Sequence, residues 1–98
     1  LHRSTVLPNI PTLDESGIKG YEAASFTGVL APAGTPQAVL DRLYAAVVKA
    51  ARLPAVTERF KDLAADPKTT TPQEFRQFMQ DDIAKWQKVA KAANIKLD

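Results

Sequence analysis

Residues 24–36, Ala-Ser-Phe-Thr-Gly-Val-Leu-Ala-Pro-Ala-Gly-Thr-Pro, constrain the fold of this chain more than any other segment. The first part is short and apolar, as a buried strand is, and the last part has the Pro, Gly and Thr of a loop. Thr35 can cap free backbone amides, and Pro36 suits the first helical position, where its missing N–H costs nothing. The segment therefore predicts a strand at residues 26–30, followed by a loop and a helix.

Helical periodicity follows this junction in three stretches. Apolar residues recur at intervals of three and four over residues 36–52, 54–65 and 72–93, which we interpret as three helices. Residues 71–74, Thr-Pro-Gln-Glu, combine a capping box with a proline at the first position of the third helix. Asn94 tolerates the left-handed backbone that ends a helix. The sequence thus predicts a helix-rich α/β fragment with one main strand and three helices.

The largest side chains of the third helix lie on one face of it. Phe75, Phe78 and Trp86 are separated by helical intervals, and Phe60 is the only large aromatic partner that the preceding helix offers. We therefore expect these four residues to share one core.

The first 20 residues are rich in turn formers and have no core of their own. Within them, residues 12–15, Thr-Leu-Asp-Glu, match a capping box that would start one turn of helix ending at Gly17. The chain begins without the charged-then-apolar pattern of a targeting segment, and we interpret it as a fragment.

Composition excludes several classes of function. The chain has 98 residues, enough for one domain at most, and its 13 basic and 11 acidic side chains leave a net charge of +2. This charge is too small to indicate a nucleic-acid partner. No apolar run approaches the roughly 18 residues of a membrane-spanning helix. The chain has no cysteine, so neither a disulfide framework nor a thiolate metal site is expected.

The titratable residues do not predict catalysis. His2 is the only histidine and has no cysteine or second histidine with which to share a metal. Neighbours such as Asp14 and Glu15, or Asp81 and Asp82, point about 100° apart on a helix and are typical of solvated faces. Asp81 also has Lys85 one turn further along as an ion-pair partner. We therefore expect no enzyme activity, no metal site and no cofactor.

The order of the motifs carries more information than any one of them. The sequence runs through residues 7–12 (Leu-Pro-Asn-Ile-Pro-Thr), 15–17 (Glu-Ser-Gly), 20–22 (Gly-Tyr-Glu), 25–36, 71–75 (Thr-Pro-Gln-Glu-Phe) and 83–86 (Ile-Ala-Lys-Trp). This order resembles the C-terminal third of Bug-type solute-binding receptors of the tripartite tricarboxylate transporter family. The resemblance spans nearly the whole chain.

The resemblance implies a fold, a function and a location. It implies part of a two-lobed fold, like that of type II periplasmic binding proteins, in which residues 1–20 form the hinge-proximal part of the second lobe and residues 21–98 complete the first. It implies uptake of a small carboxylate-type solute in the periplasm, with a membrane permease as partner. Because the strand would pass beside the cleft, Ser25, Phe26 and Thr27 are the expected ligand-binding residues.

A second function class stays open at this point. Amphipathic helices alone are also typical of a stand-alone helical protein-interaction module without a ligand. In isolation, the unpaired strand edge and the uncovered helix faces would favour self-association of the fragment.

Overall fold

Three α-helices form the regular structure of this chain. The computed structural model describes residues 2–96, and in them the helices are α1 (Gln37–Ala51), α2 (Pro54–Asp62) and α3 (Pro72–Ala92). The three predicted helices are therefore present, with ends within a few residues of the predicted ones. None of the described helices is long and apolar enough to span a bilayer. The chain divides into two compact units, Leu1–Lys68 with α1 and α2, and Thr69–Asp98 with α3.

The predicted strand is not present, so the α/β prediction with one main strand is wrong for the described residues. Residues 21–32 form neither helix, strand nor turn. Phe26, Val29 and Leu30 are 47%, 70% and 71% exposed. A strand exists through a ladder of backbone hydrogen bonds to a neighbouring strand, and no segment within residues 2–96 supplies one. An apolar run identifies a segment suited to a sheet, but it does not provide the partner.

The starts of α3 and α1 differ in how they are capped. At α3 the Thr71 hydroxyl accepts a hydrogen bond from the Glu74 amide at 3.1 Å, and the Glu74 carboxylate accepts one from the Thr71 amide at 2.8 Å. This confirms the predicted capping box. At α1 the prediction of a Thr35 cap is wrong, because the N-cap residue is Pro36 and makes no side-chain cap. The Thr35 hydroxyl instead donates to the Pro32 carbonyl at 2.7 Å and closes the preceding turn.

Both α2 and α3 end in a left-handed residue that satisfies the last carbonyls. After α2 the Ala65 amide donates to Phe60 and the Ala64 amide to Lys61, both at 2.9 Å. After α3 the Ile95 amide donates to Ala90 at 2.9 Å and the Asn94 amide to Lys91 at 3.2 Å. This pair of hydrogen bonds is the Schellman motif, with Ala64 and Asn94 each at a φ of +53°. The predicted stop at Asn94 is confirmed.

The N-terminal turn is held by a second capping box and by an arginine. The Glu15 carboxylate accepts from the Thr12 amide and from Arg3 Nε, both at 2.8 Å, while the Thr12 hydroxyl accepts from the Glu15 amide at 3.1 Å. Gly17, at a φ of +111°, ends the turn as predicted, and the Ile18 amide donates to Leu13 at 2.9 Å. The predicted turn is therefore formed, and Arg3 adds an ion pair to it.

None of the described side chains is buried. The predicted aromatic core is therefore not formed by this segment: Phe78 and Trp86 are 44% and 40% exposed. The rings of Phe75 and Phe78 stack with centroids 6.3 Å apart and planes inclined by 15°. A single amphipathic helix cannot enclose its own apolar face, because burial needs a second surface placed against it.

The left-handed conformation of Ala64 gives a first prediction. An L-residue in this region costs about 1–2 kcal/mol, part of which is offset by the greater chain entropy of glycine when unfolded. Replacing Ala64 by Gly should therefore raise the free energy of unfolding by roughly 0.5–1 kcal/mol. Ala84→Gly, inside α3, is the matched control and should lower it by about 1 kcal/mol. Urea unfolding of the protein measures both, and a loss of stability in Ala64→Gly would contradict the assignment.

The Glu15 carboxylate gives a prediction about pH. Its hydrogen bond from Arg3, together with that from the Thr12 amide, lowers the pKa of Glu15 below the ordinary value. Because the pKa of Glu15 is lower in the folded state, the ionised carboxylate stabilises the fold fully at a pH above the ordinary pKa of Glu. This stabilisation is lost as the pH falls through the lowered pKa. We expect the chemical shift of the Thr12 amide to titrate below the ordinary range of Glu, and Arg3→Gln to move that titration upward. An unchanged midpoint in Arg3→Gln would show that Arg3 does not act on Glu15.

Candidate functional site

The three predicted ligand-binding residues lie on an exposed, irregular stretch of chain. Ser25, Phe26 and Thr27 are consecutive and all exposed. The two hydroxyls can each donate one hydrogen bond and accept others, and the Phe26 ring offers an apolar surface between them. Side chains of these types make hydrogen bonds and apolar contacts with small polar molecules in proteins generally. It contains no group that would activate a nucleophile.

A turn at residues 32–35 fixes how this stretch enters α1. The Thr35 amide and hydroxyl both donate to the Pro32 carbonyl, at 3.3 and 2.7 Å. Gly34 adopts a φ of +83°, which an L-residue rarely takes. The Pro36 carbonyl then accepts from the Val39 and Leu40 amides at 3.0 and 3.1 Å and starts α1. The direction of the candidate stretch at its C-terminal end is therefore set by short-range backbone contacts.

The paired carboxylates of the N-terminal turn have structural partners. Glu15 closes the capping box, as described above, while Asp14 accepts from the Gly20 amide at 2.6 Å and lies 3.9 Å from the Lys19 ammonium. Each carboxylate thus orders a different part of the turn, and the two do not form an acid–base pair.

The carboxylates of α3 are arranged differently from the predicted pairing. Lys85 forms its ion pair with Asp82, at 3.4 Å, and not with Asp81. Asp81 instead accepts from the Gln77 side-chain amide at 2.9 Å. The Lys85 ammonium also lies 5.2 Å from the centre of the Trp86 ring. Both Asp81 and Asp82 therefore interact with side chains of their own helix. The i to i+3 spacing of Asp82 and Lys85 brings that pair together.

No metal centre is formed by the described residues. Residues 2–96 contain no group of three or more His, Asp or Glu side chains that could hold an ion. The exposed His2 has neither a second histidine nor a cysteine in the sequence.

An open depression on the described surface lies along α1. It is lined by Ala38, Val39, Arg42, Leu43 and Ala46, all from one helix. Because a single helix supplies every wall, the depression is an open, mostly apolar surface that cannot enclose a ligand.

Two contacts of the N-terminal segment were not predicted from the sequence. Arg3 reaches Glu15 across two prolines, and Thr5 donates a hydrogen bond to Asp66, 61 positions away. Spacing rules describe neighbours within a helix or hairpin, so they give no signal for pairs brought together by loops. The only local sign was the position of Asp66 directly before Pro67, which restricts its backbone.

The sequence matches one family model from residue 1 to residue 95, and the model describes the tripartite tricarboxylate transporter family receptor. The chain belongs to this family. The match includes the Ser25–Thr27 stretch and all three helices. The family is described as one of transport receptors, not of enzymes. In the described residues, this receptor segment consists of three helices and an irregular stretch before α1.

Over the aligned residues, curated relatives are about one-third identical to this segment. A UPF0065 protein in the tcbD-tcbE intergenic region of Pseudomonas sp. (strain P51) is 36% identical over 90 residues, 91% of this chain and 27% of the relative. Protein BugT of Bordetella pertussis is 34% identical over 95 residues, 97% of this chain and 29% of that protein. A UPF0065 protein in the TAR-I ttuE-ttuC′ intergenic region of Agrobacterium vitis is 38% identical over 65 residues, 66% of this chain and 19% of the relative.

The receptor segment spans less than a third of the length of these relatives. No solved structure matches it. The candidate site described here is therefore the contribution of this segment alone.

The turn before α1 gives a prediction for the site. Gly34→Ala should lower the free energy of unfolding by about 1 kcal/mol or more, because alanine is strained at a φ of +83° although no atom blocks its Cβ. Gly28→Ala is the matched control and should change stability by less than about 0.5 kcal/mol, since Gly28 does not have a positive φ. Equal effects of the two substitutions in thermal or urea unfolding would contradict a specific role for Gly34.

Proposed function

We propose that this segment belongs to an extracytoplasmic receptor that binds a small carboxylate-type solute in the periplasm and delivers it to a membrane permease. The observation that carries the proposal is the family match over residues 1–95, which includes the exposed hydroxyl-bearing stretch before α1. Because the match takes in all three helices, it favours a receptor segment over a stand-alone interaction module.

The proposed receptor has two lobes that close on the solute. Residues 1–20 belong to the second lobe next to the hinge, and residues 21–98 complete the first lobe. The N-terminal turn supports this division, because the Asp14 carboxylate holds the Gly20 amide at 2.6 Å and so defines where the turn ends. Gly20, at a φ of +74°, then leads into the irregular stretch that crosses to α1.

The Ser25, Phe26 and Thr27 side chains would form one wall of the cleft. Hydroxyl groups suit a carboxylate, since they donate to its oxygens without adding charge to the site. The Phe26 ring would contact the carbon skeleton of the solute and exclude water from one side. Enclosure would come from closure of the second lobe, because an exposed stretch cannot remove a ligand from water by itself.

Binding measurements on the full-length receptor test this assignment. Thr27→Val keeps the size of the side chain and removes its hydroxyl, so it should weaken binding of a small dicarboxylate by about tenfold or more if the hydroxyl contacts a carboxylate. Thr69→Val makes the same change at an exposed residue outside the proposed cleft and should leave affinity unchanged. Calorimetry measures both. Equal affinity in the two variants would remove Thr27 from the site, and no heat with any small dicarboxylate would reject the proposed solute class.

We also propose that the isolated segment self-associates. Its helices present large apolar side chains that the segment leaves exposed, among them Val39, Leu43 and Val47 on α1. Contact between copies would remove this surface from water at about 25 cal/mol for each Å². Light scattering of the isolated segment should give a mass that rises with concentration, and a monomer mass at all concentrations would reject self-association.

A further inference from the structure

One side of α3 carries a stripe that is apolar towards both ends and charged in the middle. Intervals of three and four residues alternate along this stripe, which consists of Phe75, Phe78, Asp82, Lys85, Val89 and Ala92. The Asp82 carboxylate and the Lys85 ammonium form an ion pair at 3.4 Å, and their side chains are 18% and 36% exposed. Phe78 and Val89 are 44% and 43% exposed. The stripe is therefore open to contact on both sides of the ion pair.

We propose that this stripe pairs with the same stripe of a second copy of the chain, with the two α3 helices antiparallel. The inference rests on the self-association proposed above and assigns it to α3. An alternation of three and four is the spacing with which two helices pack their side chains between those of a partner. The two-fold axis of the pair would pass midway between Asp82 and Lys85, near the middle of this 21-residue helix.

The apolar ends of the stripe are complementary in size when one helix is reversed. In the register set by that axis, Phe75 lies opposite Ala92 of the second copy, and Phe78 lies opposite Val89 of the second copy. Each phenyl ring thus faces a smaller side chain, and the two-fold axis repeats both contacts. Large side chains placed opposite small ones fill the space between two helices without a void.

The charges select the antiparallel direction. In the same register Asp82 lies opposite Lys85 of the second copy, so the ion pairs of the two helices combine into one cluster of four alternating charges. Asp81 and Lys88 flank the stripe on one edge, and reversal of the second helix brings Asp81 near Lys88 of the second copy. A parallel pair in register would place each Asp82 and each Lys85 opposite a like charge, which is unfavourable. Charged residues within an apolar stripe thus specify direction and register.

Charge exchange in the 98-residue chain tests the pairing. Lys85→Glu makes the middle of the stripe acidic and Asp82→Lys makes it basic, so each variant alone should associate at least about tenfold more weakly than the unchanged chain. An equimolar mixture of the two should recover association, because opposite charges then meet between copies although neither copy has an ion pair of its own. Analytical ultracentrifugation measures the dissociation constants.

Lys91→Glu is the matched control for these variants. It makes the same change of charge on the same helix, but away from the stripe, and should leave association unchanged. Unchanged association in both Lys85→Glu and Asp82→Lys, or no recovery in their mixture, would overturn the pairing. An effect of Lys91→Glu as large as that of Lys85→Glu would also overturn it, because net charge alone would then explain the loss.

A distance measurement tests the direction of the pair. The chain has no cysteine, so Gln73→Cys can carry a single spin label at the N-terminal end of α3. In the antiparallel pair the two labels lie at opposite ends, about 30 Å apart, whereas a parallel pair would bring them within about 20 Å. The short distance would overturn the antiparallel direction. A monomer at all concentrations would reject self-association and this pairing together, whereas association that ignores the charge variants would reject only its assignment to α3.

Discussion

The hydrogen bonds that close the helix ends are the interactions on which the rest of this segment depends. A helix leaves four amides and four carbonyls unsatisfied at its ends, and short helices are marginal in water without packing. With none of the described side chains buried, packing contributes little inside the segment. The capping box at Thr71 and the left-handed ends at Ala64 and Asn94 therefore define where α2 and α3 begin or stop. The same logic extends to the turn between Thr12 and Gly17.

These local features were also the part of the fold that could be predicted from the sequence. The signals for the Thr71 box, for Gly17 and for Asn94 all lie within about five residues of the bonds they make, so spacing and residue type are sufficient. The strand at residues 26–30 failed because a strand depends on a partner elsewhere, which an apolar run does not specify. The Thr35 cap failed for a smaller reason, since its hydroxyl had a closer acceptor in the Pro32 carbonyl.

The candidate site could be predicted only as a set of residue types. Ser25, Phe26 and Thr27 were chosen through a resemblance that placed them beside a cleft, and the structure adds that they are exposed. By contrast, the Thr5–Asp66 bond is visible only in three dimensions, because its geometry comes from two turns that meet across 61 positions. Contacts of this kind decide how segments are arranged, and local patterns do not encode them.

In this segment, burial of the apolar side chains and the proposed binding both require a second surface placed against the exposed residues. The apolar stripe of α1 and the residues around Phe26 are exposed, so both gain free energy only when another part of the protein is placed against them. For α1 that surface would complete the core of a lobe, and for Phe26 it would be the solute with the opposite lobe behind it. In a receptor of two lobes, the first contact is made on folding and stays, whereas the second forms and breaks with each solute. Under the proposed function, a segment whose order comes from its own backbone caps is suited to this, because it would keep its shape while the face that carries Phe26 alternates between water and ligand.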